Sequence, residues 1–545
     1  MSRRRRLPIA AAPRPSSDAT QANPMTDEQR IARAVAVATS EIAVKLCAAA
    51  ERRTGRPRLI PLSGVLAAYI FHASGEPHTM TTSGVCRSLK KLKPKQRSAL
   101  GIPKHMQVRY KRMHSGWRAI KRAVEHGVLV DHDHDLDADS ATGEVLPCPE
   151  GCPFEQVGLD ELTTMLIQAS LPPEFERPPA VAIDGTDIES HTRPHKKRID
   201  AEGRAFWSAD RDARWGHRTA TDRRPTEHFL GYEAHLATYA PRVGSEPIPQ
   251  VAAGLAIRPG IRDRARACLN IVDALPRFED ILLDRGYTTA KGSQLAGPLR
   301  DREITVTMDL HKTQRVVRPG PEVGTLWVDG SLYSSALPET HRTLEAPTAG
   351  MSPAEKSRRR ETFDAREPYR FVPHAKRDTT RGTQRFRGPA VDGRPFKVRC
   401  PNTPASMRMP HTLPTTTCVP GNPCGCGRTV TVHDSELERD RQHHPWQSTR
   451  WALSFNRRTL VEGLIGANRY QRLSVNRGFL RQAGLVATAM LMAITLVGHN
   501  LVILHAWHTK RRLPEPWQVH LGEPVDDRPL DKATRTRGRR KRRPD

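Results

Sequence analysis

A chain of 545 residues with 87 Lys plus Arg against 59 Asp plus Glu, a formal charge of +28, is long enough for about two to four domains, each able to bury a core. That balance excludes an acidic small-metabolite enzyme as the default and favours a polyanionic partner, nucleic acid ahead of an anionic membrane surface. Nine cysteines, odd in number and scattered, exclude a disulfide framework, so a reducing, cytoplasmic setting is expected.

In chain order, residues 1–25 are rich in Arg, Pro, Ser and Ala with no period and read as a disordered basic arm. Arg3 to Arg6 precede an apolar run broken by Pro8 and too short for a secretory segment. Residues 26–130 read as a helical basic region. Thr26 and Gln29 have capping-box spacing, Ile31, Val35, Ala38, Ile42 and Leu46 follow at helical intervals, and Leu59 to Phe71 forms a second apolar helix. Between Arg87 and Arg122 stand thirteen Lys or Arg and no acid, while Met113, Trp117, Ile120 and Val124 keep a helical stripe. One face packs and the cationic remainder, including Lys111, Arg112 and Arg118, suits DNA phosphates, the alternative being a solvated helix face. Residues 131–177 read as an acidic linker and a connecting helix. Asp133, Asp135, Asp137 and Glu144 imitate a calcium loop, but Ala138 stands where its turn needs glycine.

From about Pro178 the pattern changes to short apolar runs read as strands: Ala180 to Ile183, Tyr232 to Tyr239, Val251 to Ile257, Ile281 to Leu283 and Ile304 to Thr307. Helical stretches at Ile261 to Leu275 and Thr289 to Leu299 make the order β-β-β-α-β-α-β, an α/β arrangement with a mixed sheet. Residues 311–450 lose periodicity and read as an insertion; regularity returns in helices over Asn456 to Gln482 and Leu485 to Leu504, with a basic tail at 511–545. Leu485 to Leu504 carries no charge and is long enough to span a bilayer, but is read as a buried core helix, so no membrane partner is expected.

Asp184 and Asp284 each follow three apolar residues, in Val181-Ala-Ile-Asp184-Gly and Ile281-Leu-Leu-Asp284-Arg-Gly. A strand ending in a carboxylate and turning away holds that acid rigidly at a sheet edge, as metal-binding carboxylates are held, although Asp-Gly is also a common turn. Asp187 and Glu189 compete for the first place. Phe455, Arg458, Glu462 and Arg469 fall within roughly 60° of arc at about 100° per residue, beside an apolar face of Leu460, Val461, Leu464 and Ile465. A glutamate between arginines can ligate a cation while the guanidiniums take flanking phosphates; an exposed ion-pair ladder is the alternative. Cys400, Cys418, Cys424 and Cys426 cluster near His411 and His433 but lack paired Cys-x2-Cys units, so ordinary thiols are expected ahead of a structural zinc site. No phosphate-cradling glycine loop or dinucleotide fingerprint occurs, so no nucleotide cofactor is expected.

Asp284-Arg-Gly-Tyr287 and the spacing Phe455-x2-Arg458-x3-Glu462-x6-Arg469 resemble the second-acid motif and the Tyr-Arg-Glu-Lys signature of DDE transposases of bacterial insertion sequences, with Phe in the Tyr place and Arg in the Lys place. Asp184-Gly-Thr resembles that family's first-acid motif. The resemblance covers about residues 178–505 and implies a ribonuclease-H-like core, in 178–310 and 451–510, interrupted by the insertion. It implies that Asp184, Asp284 and Glu462 are the catalytic, metal-binding triad for Mg²⁺, with Mn²⁺ as a substitute. It further implies that Arg458, Arg469, Arg285 and Tyr287 contact DNA or support the site. The reaction implied is cleavage at transposon ends and strand transfer into double-stranded target DNA by an assembled homodimer. A nuclease without strand transfer and a non-catalytic DNA-binding protein are the alternatives.

Overall fold

The computed structural model describes residues 20–532 apart from 22, 52–56, 76, 130–156, 202, 219–225, 349, 394–396, 410, 526–527 and 529–530. The basic arm before Thr20, the calcium-loop imitation and the residues after Lys532 therefore lie outside the described residues. A short strand β1 (Thr20–Gln21) leads to α1 (Asp27–Ala38), which starts at the expected capping box: the Thr26 hydroxyl accepts from the Gln29 backbone at 3.2 Å and the Gln29 side chain accepts from the Thr26 backbone at 2.9 Å. The apolar period through Leu46 is not one helix. The Thr39 and Ser40 hydroxyls turn back onto the Val35 and Val37 carbonyls at 2.9 and 2.7 Å, Ser40 is extended, and α2 (Glu41–Ala50) restarts the helix. Next comes α3 (Leu62–Ala73), buried at every residue but Ser63. Then follow α4 (Thr82–Lys91), α5 (Pro94–Ala99) and α6 (Tyr110–Leu129). On α6 the stripe Met113, Trp117, Ile120 and Val124 is fully buried, with Trp117 stacked on Tyr69 at 4.6 Å between centroids. Helix α7 (Leu159–Gln168) packs against the sheet described next.

The central strand is β2 (Ala180–Glu189), and β3 (Arg198–Ile199) with β4 (Ala205–Phe206) forms a hairpin beyond it. Then come β5 (Arg214–Arg218), β6 (Glu227–Ala240), β7 (Ala252–Pro259), α8 (Arg264–Ala274), β8 (Asp280–Leu283), α9 (Ala296–Asp301) and β9 (Thr305–Met308). Across the sheet the order is β7-β6-β2-β8-β9, with β5 extending the β7 side along the first half of β6. β6 is antiparallel to β2 and β7, whereas β8 is parallel to β2 and β9, so the expected mixed α/β sheet is present. Val181 to Ile183 are apolar without alternation because a central strand is covered on both faces. The expected helix at Thr289 to Leu299 is reduced to a 3₁₀ turn at Gly292–Gln294 and the short α9.

The insertion contains two small antiparallel sheets, β10 (Val317–Pro319), β11 (Thr325–Val328) and β12 (Ser331–Ser334), then β13 (Val372–Pro373), β14 (Thr383–Arg387) and β15 (Thr429–His433), with α10 (Pro353–Asp364) between them. The chain returns through α11 (Thr449–Phe455), a 3₁₀ turn at Asn456–Arg458, α12 (Thr459–Gly466) and a π turn at Ala467–Gln471. The helix expected to reach Gln482 therefore stops at Gln471, and the chain to Gly484 is irregular.

The long helix α13 (Leu485–Arg511) is buried over most of its length. Its polar residues serve the open edge of β7: Asn500 accepts from the Ala252 N–H at 2.7 Å and donates to the Ala252 carbonyl at 2.8 Å, and His499 meets the Gln250 carbonyl at 3.1 Å. Thr163 and Gln168 of α7 cover the same edge through the Leu255 and Ala253 carbonyls at 3.1 and 2.6 Å. α14 (Pro516–Leu521) and β16 (Asp531–Lys532), paired with β1, close the chain. Part of the expected basic tail is thus packed: Trp517 is buried, and buried Glu515 accepts from buried Arg33 at 2.6 Å. One cluster of buried residues runs from Met25 through the sheet to Trp517.

Candidate active site

The parallel pairing of β2 with β8 ends at Ile183 opposite Leu283, and the next residues on the two strands are Asp184 and Asp284. Adjacent strands lie about 4.8 Å apart, so two residues separated by 100 positions become neighbours. β2 does not end at Asp184 as expected: it runs on to Glu189 along β6, and it is β8 that leaves. Asp184 consequently sits on a continuous strand, while Asp284 sits where a strand turns into the 3₁₀ turn Arg285–Tyr287.

Helix α12 supplies the third acid. Its buried Val461 and Leu464 pack it on the sheet, and Gln250 holds it by donating to the Leu460 carbonyl at 2.7 Å. A Cβ at Gly463 would come within 2.1 Å of that Gln250 side chain, so glycine permits the approach. Arg458 then donates to Asp184 Oδ2 at 2.9 Å and to Glu462 Oε1 at 2.5 Å. Burial works against the Arg458 charge, but Asp184, Asp284 and Glu462 outweigh it and raise its pKa. The Asp184 carboxyl is pushed up to about 6, chiefly by burial, with Asp284 and Glu462 adding to the rise and Arg458 and the Gly185 N–H opposing it. Two carboxylates from distant parts of the chain thus share one guanidinium, and the charge of Asp284 acts on both Arg458 and Asp184. The acids differ in access: the Asp184 side chain is 19% exposed and Glu462 51%.

Phe455 stacks on Trp451 at 4.6 Å, and the Arg458 guanidinium lies over its ring at 5.3 Å, so the Phe in this motif supports the arginine. Arg469, carried on the π turn, pairs with Asp187 at 3.0 Å. Asp187 also accepts from Arg218, which reaches Glu189 at 2.5 Å as well. Burial pushes the Asp187 pKa up, but the two arginines win and hold it below the usual carboxylate range. All three candidates for the first place, Asp184, Asp187 and Glu189, are thus engaged by arginines, and Asp184 is the one on which the charges of Asp284 and Glu462 act.

Of the groups expected to contact DNA or support the site, Tyr287 takes the supporting place. Tyr287 is not placed to touch DNA: it is 3% exposed and its hydroxyl bonds His235 Nδ1 at 2.7 Å. Arg458, expected to clamp phosphates, pairs with Asp184 and Glu462 in this structure. Arg285 is half exposed and lies 3.7 Å from Asp309. Behind the acids, Glu233 takes two hydrogen bonds from Arg264 at 2.7 and 3.0 Å, and burial pushes neutral His235 down to about 3. The sequence offered Tyr287 a supporting role but not its partner His235 or the Glu233–Arg264 pair. Their only signal was two polar residues, Glu233 and His235, on alternate positions of an apolar run.

On α6, Lys111 and Arg118 are exposed and Arg112 is half-buried, opposite the buried stripe. Nearby, Lys90, Arg97, Lys104, His105 and Arg109 line a basic concavity of about 610 Å³. In the insertion, the sulfurs of Cys400, Cys418, Cys424 and Cys426 all lie within 4.8 Å of one another, so the expectation of unrelated thiols gives way to a set that could hold a metal. His411 and His433 are not among them. Carboxylate oxygens suit a hard ion such as Mg²⁺, whereas thiolates suit zinc. Comparison with protein-family models, with curated proteins and with solved structures finds no match to this chain.

Proposed function

We propose that this chain is a DNA transposase of the DDE type, cutting at element ends and transferring the freed 3′-hydroxyl into double-stranded target DNA. The observation that carries the reading is that Asp184 and Glu462 share Arg458 while Asp284 follows Leu283 on the strand beside Asp184, since these are the acids the motif resemblance selects. A mixed sheet in the order β7-β6-β2-β8-β9, antiparallel on one side of β2 and parallel on the other, is compatible with the ribonuclease-H-like core that this reading requires.

Asp184 and Glu462 share the Arg458 guanidinium and Asp284 adds its charge beside them, so hard-oxygen donors outnumber the one cation; their oxygens are not gathered into a ligand set as they stand, and a divalent cation would have to draw them together. When bound, Mg²⁺ or Mn²⁺ supplies activation of a hydroxyl nucleophile and charge stabilisation at the scissile phosphodiester. The chain's own contribution is positional. The sheet fixes Asp184 and Asp284 side by side, α12 brings Glu462 over them, and Arg458 is close enough to exchange a carboxylate for a phosphate oxygen. The exposed cations of α6 give a surface for duplex DNA.

The test is cleavage of supercoiled DNA carrying the element's ends with Mg²⁺, followed by joining of a pre-cut end to a target plasmid. Asp284→Ala and Glu462→Ala should each lower both steps at least about a hundredfold while DNA binding persists. Unchanged cleavage in both variants would refute the site. Nicks without joined products from the parent chain would leave a nuclease, and binding with no metal-dependent cleavage a DNA-binding protein.

A further inference from the structure

We infer that Cys400, Cys418, Cys424 and Cys426 form a structural tetrathiolate zinc site that clamps the two small sheets of the insertion together. Zinc–sulfur bonds of about 2.3 Å in a tetrahedron place sulfurs about 3.8 Å apart. Here Cys400 and Cys424 sulfurs are 3.5 Å apart, Cys418 and Cys426 sulfurs 3.8 Å, and all four lie within 4.8 Å. Disulfides would need about 2.05 Å and would join the sulfurs in pairs, whereas here four meet at one point.

The surroundings are built around the sulfurs. The Ser334 hydroxyl meets Cys426 Sγ at 3.0 Å and Asn402 Nδ2 donates to Cys424 Sγ at 3.6 Å, the kind of hydrogen bonding that orients thiolate ligands. Asn402 also pins the loop between Cys418 and Cys424, donating to the Val419 and Asn422 carbonyls at 3.0 and 2.8 Å and accepting from the Gly421 N–H at 2.8 Å. Between the last two cysteines, Gly425 has φ +70° and passes Gly324 so closely that a Cβ there would fall 2.2 Å from the Gly324 carbonyl oxygen. That contact joins the cysteine loop to the start of β11, and β15 begins three residues after Cys426. The local apolar cluster is small, Ala336, Ala390 and Val398 beside the cysteines, so a metal replaces a core that this segment lacks.

This inference does not rest on the transposase reading. The test is zinc analysis of the full-length chain purified without chelator: about one zinc per chain is expected, released by a mercurial thiol reagent. Asp184→Asn with Asp284→Asn should keep that zinc, and Cys418→Ser with Cys424→Ser should lose at least about four-fifths of it. Because the cysteine variant could misfold, the parent chain is also loaded with Co²⁺, where thiolate-to-cobalt charge-transfer absorption is expected. Absence of zinc and of that absorption from the parent chain would overturn the site, as would full zinc retention by the cysteine variant or its loss from the aspartate variant.

Discussion

At Asp184 the folded chain holds a carboxyl whose pKa, about 6, stands above its ordinary 3.8, because burial outweighs Arg458. A raised folded-state pKa means that this group favours folding below pH 4, and that the contribution is lost as pH rises through 6. The shift corresponds to about 3 kcal/mol at pH 7.5 before relaxation reduces it. Without divalent cations, Asp184→Asn should therefore match or exceed the parent chain in urea midpoint at pH 7.5, with the difference disappearing toward pH 4. A clear loss of stability at pH 7.5 would show that the ion pair with Arg458 dominates. Tyr287 tests a different role. Its hydroxyl meets His235 in a buried pocket, so Tyr287→Phe should cost about 1–2 kcal/mol in urea unfolding and leave DNA affinity unchanged.

Helix α6 is divided lengthwise, with Met113, Trp117, Ile120 and Val124 buried and Lys111 and Arg118 exposed. That division lets the helix pack and present charge at once, since the cations need no partner within the protein. Lys111→Ala and Arg118→Ala should each weaken duplex binding in fluorescence anisotropy and lower the slope of log affinity against log salt by about one, with stability changed by less than about 0.5 kcal/mol. A slope that stays constant in both would remove α6 from the DNA surface. Helix α12 works the other way: Val461 and Leu464 fix its height above the sheet, so the position of Glu462 follows from apolar packing made one residue before and two after it.

Over the whole molecule, the first and last described helices, α1 and α14, are tied into one core. Arg33 of α1 is fully buried and paired with Glu515 and Glu523 at 2.6 and 3.0 Å, and the Trp517 indole donates to the Ser170 carbonyl at 2.9 Å. Ending the chain at Arg512 would strand the Arg33 guanidinium in an apolar setting and uncover the site of Trp517. A loss of at least about 4 kcal/mol is expected, read as a lower urea midpoint. A truncated chain of parental stability would mean that the C-terminal segment is an accessory layer.

Local pattern determined much of this protein. The capping box at Thr26, the stripe on α6 and the strand runs of the sheet repeat at periods set by backbone geometry, and those periods are visible in the order of residues alone. The spacing of Arg458 and Glu462 likewise puts both on one helix face, because side chains at i and i+4 stand one above the other. Tertiary structure decided the rest. Asp184 meets Asp284 only because β8 inserts beside β2, and four cysteines with no recognisable spacing converge only because loops of the insertion fold back on β12. Tyr287 faces the core because the 3₁₀ turn after β8 points it at His235, a direction no residue type encodes. Periodicity is a property of neighbours along the chain, whereas a site is made by segments brought together through burial, and burial depends on the entire fold.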